Sequence, residues 1–473
     1  RGDPHCGSCC RVLCASGHWK CLLRRCPAMP RWLLCARAVW LSAAISCWLC
    51  SAIPTYLLHG LRERTQLTAR PLHVLTLQRG RGRHCGFGSE RAWHASYGSE
   101  AVVRTIDLPR SSLACPLLDS LEDLDLVVID SSLAGPRPME TFGRLFPLLS
   151  APGGICVAIS LSSGNATKMS REWLARLGSG LSECLLGIRD QEACAYRAFK
   201  LSVLLDAVVV ERTAEADSIT PMFLGRADPS FPFYGYGPGG NERQVREWSE
   251  QHRQLLEAAR ASGLAENWTA SSSSMCTPCG CGRNPFLPWA ASYRGPLLWK
   301  WTSCFESYHH ALCGVRLRSQ TQSDRPVKVL ELGVNTGGSI AMWRNYFGNR
   351  AEYHGVDTNP DCAQFGNGRS NTFIHIGSQD DGRFLADLVQ SSGPFNLISD
   401  DASHRADLTW ASFGVLWPTL AAGGVYLVED LEPQRDLVAY LFDAVASTAS
   451  ASLTQFGNVV ALFRCPEPGV ACA

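Results

Sequence analysis

Residues 327–347 read "VKVLELGVNTGGSIAMWRNYF". A short run rich in valine and leucine meets a glycine turn, and apolar residues at helical spacing follow. That succession predicts strand, turn, helix. Glycines let the backbone come close to a ligand where the new helix presents its free N–H groups. A lone turn of this kind is a weak signal, so its meaning depends on its surroundings.

Toward the C-terminus, "YHGVD" is a second strand ending in Asp357. An acid about twenty residues after the glycine turn is placed to hydrogen-bond a ribose in nucleotide-binding α/β folds. "TFIHIGSQDD" supplies a third strand ending near Gly377, and "FNLIS" a fourth that runs into Asp400 and Asp401, with His404 just beyond. "LTWASFGVLWPTL" puts Phe413, Leu416, Trp417 and Leu420 on one helical face. "VYLVED" is a fifth strand ending in Glu429 and Asp430, and "LTQFGNVVALF" reads as a hairpin around Gly457-Asn458. This alternation predicts an α/β fold, a mostly parallel sheet with helices on both faces. Ligands of such sheets lie outside the carboxyl ends of the strands.

Asp357, Asp401 and Glu429 all fall at those ends. Crowded carboxylates repel one another, and a divalent cation relieves this by binding their oxygens. Asp401, Glu429 and Asp430 are the acids expected to share it. His404, with an unperturbed pKa of roughly 6.5, suits taking a proton from a hydroxyl polarised by that metal. In the competing reading Asp401 and Glu429 are helix caps at strand–helix turns, and His404 is a surface histidine. Asp400 is expected to be structural, and Trp343 and Trp410 to be packing residues.

The series "VLELGVNTGGSIAMWRNYF", "YHGVD", "GSQDD", "FNLISDDASH" and "GGVYLVEDL" resembles class I S-adenosylmethionine-dependent methyltransferases. More narrowly, it is similar to the macrocin and mycinamicin sugar O-methyltransferases and their cephalosporin-hydroxylase-like relatives. "KWTSCFESYHHAL", residues 300–312, resembles that family's lead-in helix. The resemblance covers roughly residues 296–465. It implies that Glu331, Gly333, Gly337 and Gly338 line the methionine end of S-adenosylmethionine, that Asp357 holds the ribose, and that Gln379 borders the adenine. It also implies that Asp401, Glu429 and Asp430 bind Mg2+ and that His404 is the general base. The acceptor implied is a hydroxyl of a sugar or other hydroxylated natural product. Two departures stand out. Ser378 replaces an acid of the family's pattern, which removes an acceptor for the adenine amino group. Ala402 replaces a glycine, which restricts the backbone if that glycine had positive φ.

Further upstream, residues 124–160 read "LDLVVIDSSLAGPRPMETFGRLFPLLSAPGGICVAIS". Set beside "FNLISDDASHRADLTWASFGVLWPTLAAGGVYLVED", this shows the same strand, acid, helix, glycine pair and strand. Aligning Gly153-Gly154 with Gly423-Gly424 puts Ile159 at the place of Glu429 and Ser160 at that of Asp430. Asp130 lies near the first acids, with no histidine after it. Residues 65–215 are therefore expected to form a degenerate methyltransferase-like domain, serving as a dimerisation surface or an acceptor-binding domain. The alternative is an unrelated α/β domain with the same punctuation. Residues 216–292 read as a Pro/Gly/Ser-rich linker with one charged helix over 241–263, and residues 293–473 as the catalytic domain. Cys276, Cys279 and Cys281 lie in the linker with no second half of a metal site.

Residues 1–64 form a Cys-rich tail, with nine of the 22 cysteines in the first fifty residues, and then an apolar stretch from Val39 to Leu58. Basic residues precede that stretch, as in a signal peptide or membrane anchor. Arg37 and Pro54 shorten it to the borderline of a span. The expected location is membrane-associated or secretory, and otherwise cytoplasmic. With a net charge of +1 and 18% charged residues, nothing favours nucleic acid as partner. The partners expected are a small-molecule or glycan hydroxyl acceptor and, with the duplicated half, a homo-oligomer. The alternatives to a magnesium-dependent O-methyltransferase are an inactive cofactor-binding or scaffold module and a cephalosporin-hydroxylase-like relative.

Overall fold

Alternate residues of the strand Lys328–Leu332 enter two different cores. Leu330 and Leu332 join one buried cluster and Val329 the other. A strand covered on both faces reads as an unbroken apolar run, which is why "VKVLEL" shows little polar alternation. The computed structural model describes residues 71–79, 86–87, 101–108, 118–130, 138–150, 153–159, 165–185, 199–204, 207–212, 221–225, 275–277, 280–282, 284–321, 325–366, 370–431, 437, 440–441, 444 and 451–464. The N-terminal tail, the apolar stretch 39–58 and the charged helix expected over 241–263 lie outside the described residues. Among the described residues no helix is long and apolar enough to cross a membrane.

The upstream strands are β1 (Leu72–Arg79), β2 (Gly86–Phe87), β3 (Ala101–Leu108), β4 (Leu126–Asp130), β5 (Ile155–Ile159), β6 (Phe199–Leu204) and β7 (Ala207–Arg212). Four short strands follow, β8 (Pro221–Leu224), β9 (Met275–Thr277), β10 (Gly280–Gly282) and β11 (Leu298–Trp301). The C-terminal strands are β12 (Lys328–Leu332), β13 (Glu352–Asp357), β14 (Thr372–Ile376), β15 (Leu397–Asp400), β16 (Val425–Val428), β17 (Ala451–Phe456) and β18 (Val459–Arg464). The described helices are α1 (Pro138–Leu145), α2 (Asn165–Leu185), α3 (Phe286–Ser292), α4 (Thr302–Thr321), α5 (Gly338–Phe347), α6 (Gly382–Ser392) and α7 (Ala406–Leu416).

Both sets of strands lie in one sheet, ordered β14-β13-β12-β15-β16-β18-β17-β6-β7-β5-β4-β1-β3-β2. The C-terminal part is parallel from β14 to β16 and closes with the antiparallel hairpin β17–β18. Helices cover both faces. Leu385 of α6 and Phe413 and Leu416 of α7 pack in one core, and Phe305 and Tyr308 of α4 and Met342 and Trp343 of α5 in the other. Burying each such side chain contributes about 1.5–3 kcal/mol. The first core continues through the upstream part, where it takes in Leu75, Val127, Ala158 and Leu201.

Read outward from its middle, the sheet repeats itself. On one side the order is β17, β18, β16, β15, β12, β13, and on the other β6, β7, β5, β4, β1, β3. The seam is antiparallel, with Thr454 opposite Ser202, Leu453 opposite Val203 and Gln455 opposite Leu201. The Ser202 and Thr454 hydroxyls are 3.0 Å apart. Such a self-complementary register is what a two-fold interface between like surfaces produces. The surroundings match too. Gly153 N–H donates to Arg212 O and Arg212 N–H to Gly154 O, as Gly423 does to Arg464 and Arg464 to Gly424. The Arg212 guanidinium donates to Leu149 O at 2.6 Å, and that of Arg464 to Leu420 O. The linker between the two regions therefore does not separate their sheets.

Candidate active site

A cavity of about 920 Å³ opens at the carboxyl ends of the C-terminal strands; Gly333, Gly338, Asp357, Asp401, His404 and Asp430 are on its wall. Gly333 has φ 92° and Gly337, which precedes α5, has φ 76°. A side chain on Gly333 would run into the backbone carbonyl of Asp401, and one on Gly338 into that of Leu297. Only glycine fits both the conformation and the space at Gly333. The residue at the start of α5, Gly337, supplies no side-chain cap, and a helix N-terminus of this kind can receive a ligand.

Asp357 lies on the cavity wall and orders the turn from there. Its carboxylate accepts from the backbone N–H of Val334 and Asn335 at 2.9 Å each and of Asn359 at 2.8 Å. The neighbouring Asn335 Oδ1 is buried without a hydrogen-bond partner on the same wall. A bound group with donors would satisfy it.

Three of the residues expected to touch the cofactor, Glu331, Gly337 and Gln379, are not on the cavity wall. Glu331 is fully buried and accepts from Ser339 Oγ at 2.6 Å, from Trp343 Nε1 at 3.3 Å and from the Tyr353 hydroxyl. Burial pushes its carboxyl up to about 7. Gln379 is a brace: its amide donates to Asp400 Oδ1 at 3.2 Å and accepts from Ser403 N–H at 2.9 Å. Asp400 points into the fold, accepting from Ser412 Oγ at 2.6 Å and the Tyr426 hydroxyl at 3.2 Å, and burial raises it to about 6. Trp343 is fully buried, as its packing role requires, whereas Trp410 is 39% exposed.

Asp401, Glu429 and Asp430 do converge, in company that the spacing did not announce. Lys300, on β11, places its Nζ 2.5 Å from Asp401 Oδ2 and 2.7 Å from Glu429 Oε2. The Tyr308 hydroxyl donates to the same Glu429 oxygen at 2.5 Å, and Ser399 Oγ to Glu429 Oε1 at 2.7 Å. Trp301 Nε1 donates to Asp430 Oδ1 at 2.6 Å, and Asn458 Nδ2 to the same atom at 3.2 Å. His404 Nε2 is 3.8 Å from Asp401 Oδ1 and 3.5 Å from Asp430 Oδ2. Ligand atoms of Asp401, His404 and Asp430 all fall within 4.8 Å of one another. Two carboxylate oxygens this close together suit a hard divalent cation.

Burial raises Glu429, and the nearby Asp401 charge adds to it. Burial likewise raises Asp430. Burial opposes the charge on Lys300, but Asp401 and Glu429 outweigh it and hold the ammonium well above its ordinary value. His404 adopts φ 51° and Asp430 φ 49°. Such backbone is costly for side-chain-bearing residues and is stored at functional sites. Ala402 is not among the residues with positive φ, so the alanine in place of glycine is accommodated without that strain. The Ser378 hydroxyl donates to the carboxylate of Asp380, two residues on. Lys300, Trp301, Tyr308 and Ser399 were not singled out from sequence. The available signal was a lone lysine in the aromatic run "LLWKWTSCF".

Residues 330–431 match a family model described as a methyltransferase domain. The chain is 38% identical over 143 residues to the 8-demethyl-8-(2-methoxy-alpha-L-rhamnosyl)-tetracenomycin-C 3'-O-methyltransferase of Streptomyces olivaceus, covering 28% of this chain and 33% of that protein. It is 34% identical over 115 residues to the mycinamicin VI 2''-O-methyltransferase of Micromonospora griseorubida, covering 23% and 28%. The chain thus spans about a third of the length of the curated relatives it matches. Among solved structures, the MycE methyltransferase of the mycinamycin pathway, in complex with Mg, SAH and mycinamycin VI, is 24% identical over 34% of this chain and 49% of that one, with a TM-score of 0.30. The C-terminal half has the Rossmann-like methyltransferase fold: a mostly parallel sheet, helices on both faces and a glycine turn after its first strand.

Proposed function

We propose that residues 293–473 transfer a methyl group from S-adenosylmethionine to a hydroxyl of a sugar or other hydroxylated natural product, using a divalent cation and His404 as general base. The observation that carries this is the convergence of Asp401, His404 and Asp430 at the wall of a cavity floored by the glycine turn. The names of the two curated relatives, both O-methyltransferases, support it.

When bound, the donor supplies a methyl already activated on sulfonium, and magnesium would sit on Asp401 and Asp430 and polarise the acceptor hydroxyl. The chain's own residues do the rest. The bare backbone at Gly333 and Gly338 and the N-terminal N–H groups of α5 receive the methionine end. Asp357, although it accepts three backbone N–H groups, keeps lone pairs for ribose hydroxyls. Glu331 and Gln379 act from behind the wall, the first by fixing β12 against α5 and the second by tying the loop after β14 to the loop after β15. His404 Nε2 takes the hydroxyl proton as the oxygen attacks. The Asp401 and Asp430 carboxylates beside the ring stabilise the imidazolium formed. Holding the two reactants in line lowers the barrier further.

In the same reading the upstream half is a degenerate copy of the methyltransferase domain. It covers the β17 edge, which is otherwise a template for strand pairing with another molecule.

The test is label transfer from S-adenosylmethionine by the full chain with Mg2+ and a panel of glycosylated acceptors. Transfer that stops in excess EDTA is expected. Full activity in excess EDTA would remove the cation from the mechanism. Donor binding with no transfer to any hydroxyl would favour the cofactor-binding module, the reading toward which Ser378 leans.

A further inference from the structure

The carboxylate cluster already holds one positive charge of its own. Lys300 is only 4% exposed, and its Nζ lies between Asp401 Oδ2 and Glu429 Oε2 at 2.5 and 2.7 Å. That is the gap in which an ion bridging those two acids would sit. With Tyr308 on Oε2 and Ser399 on Oε1, both oxygens of Glu429 are engaged by protein donors. The other pair of oxygens, Asp401 Oδ1 and Asp430 Oδ2, lies beside His404 Nε2, at 3.8 and 3.5 Å. Three carboxylates and one ammonium leave two negative charges, which one divalent ion balances.

We propose that Lys300 is the resident cation of the site: it takes Glu429 out of the ligand set and confines a divalent ion to Asp401 and Asp430. Lys300 reaches the cluster because β11 pairs antiparallel with β8, where Lys300 stands opposite Met222. The next residue on the same ribbon, Trp301, holds Asp430 in place. One short ribbon therefore sets both the charge and the geometry of the ion's acids. Lys300 is a positioning residue in this role; it acts through the acids and not on a substrate.

The inference rests on the cation reading above, and the two fail differently under test. The probe is Mn2+ alone, with its affinity for the full chain measured by electron paramagnetic resonance and its effect on Tm by calorimetry. Affinity in such sites follows the number of charged ligands. Lys300→Met leaves Glu429 without its ammonium, as a third carboxylate for the ion, so the variant is expected to melt lower without metal, to bind Mn2+ about tenfold more tightly and to regain most of its Tm on binding. Lys300→Arg keeps the charge and is expected to stay near the native affinity. Should Lys300→Met fail to fold, Glu429→Gln decides: it is expected to keep Mn2+ affinity within about threefold, whereas Asp430→Asn loses at least tenfold. Native Mn2+ binding that is unchanged in Lys300→Met, or that collapses in Glu429→Gln, overturns the inference alone. No Mn2+ binding by the native chain overturns the cation reading and the inference with it.

Discussion

The two halves of the sheet can be compared residue by residue, because their registers coincide. β1 meets β4 with Val74 opposite Leu126, and β12 meets β15 with Val329 opposite Leu397. β4 meets β5 with Leu126 opposite Ile155, and β15 meets β16 with Leu397 opposite Val425. Counting along these strands, Asp130 stands at the position of Asp401 and Asp107 at that of Asp357. Thr76 stands where the C-terminal half has Glu331, Gln78 where it has Gly333, and Ile159 where it has Glu429. Interior apolar positions agree, and two strand-end aspartates are kept, but the places of Glu331, Gly333 and Glu429 carry Thr76, Gln78 and Ile159. The fold depends on the first set, through burial on both faces of the sheet. The proposed chemistry depends on the few positions that differ, which can change while the core still folds.

The comparison breaks most visibly in turnover. His404→Ala should lower methyl transfer by about 10²–10⁴-fold, the usual loss for a positioned base, while donor binding by calorimetry is kept. Asp130→Asn, at the equivalent edge of the other half, should leave turnover unchanged. A loss in the second variant comparable to that in the first would mean that the upstream half carries chemistry. Stability sharpens the same contrast. Leu201, fully buried on β6, faces the seam opposite Gln455. Leu201→Ala should cost about 2–5 kcal/mol, and because one sheet and one core run through both halves, a single calorimetric transition should shift. Two separated transitions, only one of them moved, would show the halves to be independent.

A smaller effect separates the halves by pH. Glu331 is raised to about 7 by burial, against roughly 4.3 in an unfolded chain. The fold holds this proton more tightly than the unfolded chain does. Its contribution to stability is therefore fully present below about pH 4 and is lost as pH rises to 7. Asp400, at about 6, acts in the same direction. Tm should fall between about pH 4 and 7, and Glu331→Gln should flatten part of that slope. Thr76, at the matching upstream position, has no proton to lose. A native Tm flat across this range would contradict the assignment.

Much of this was legible in the sequence, for reasons specific to particular residues. The strands showed themselves as valine- and leucine-rich runs, and the Gly457-Asn458 turn marked the β17–β18 hairpin. The paired glycines at 153–154 and 423–424 marked matching places because each pair takes part in the same backbone exchange with an arginine. Asp401 and Asp430 were found from strand ends. Lys300 was not, because its distance in sequence from Asp401 and Glu429, 101 and 129 residues, leaves no local pattern. Glu331 and Gln379 were placed on the cofactor by motif alone, while their side chains are buried on partners inside the fold. The joining of the two halves along β6 and β17 was also hidden, since an edge-to-edge register depends on three-dimensional pairing that neither hairpin encodes alone.

The central claim is that one half of this symmetric sheet is a donor site and the other is not. Titration calorimetry of the full chain with S-adenosylhomocysteine tests it most directly. A single site per chain is expected, lost in Gly338→Val, where a side chain would meet the Leu297 carbonyl, and retained in Asp107→Asn. Two sites per chain, or loss of binding in Asp107→Asn, would contradict the asymmetry, and no binding at all would contradict the donor site itself.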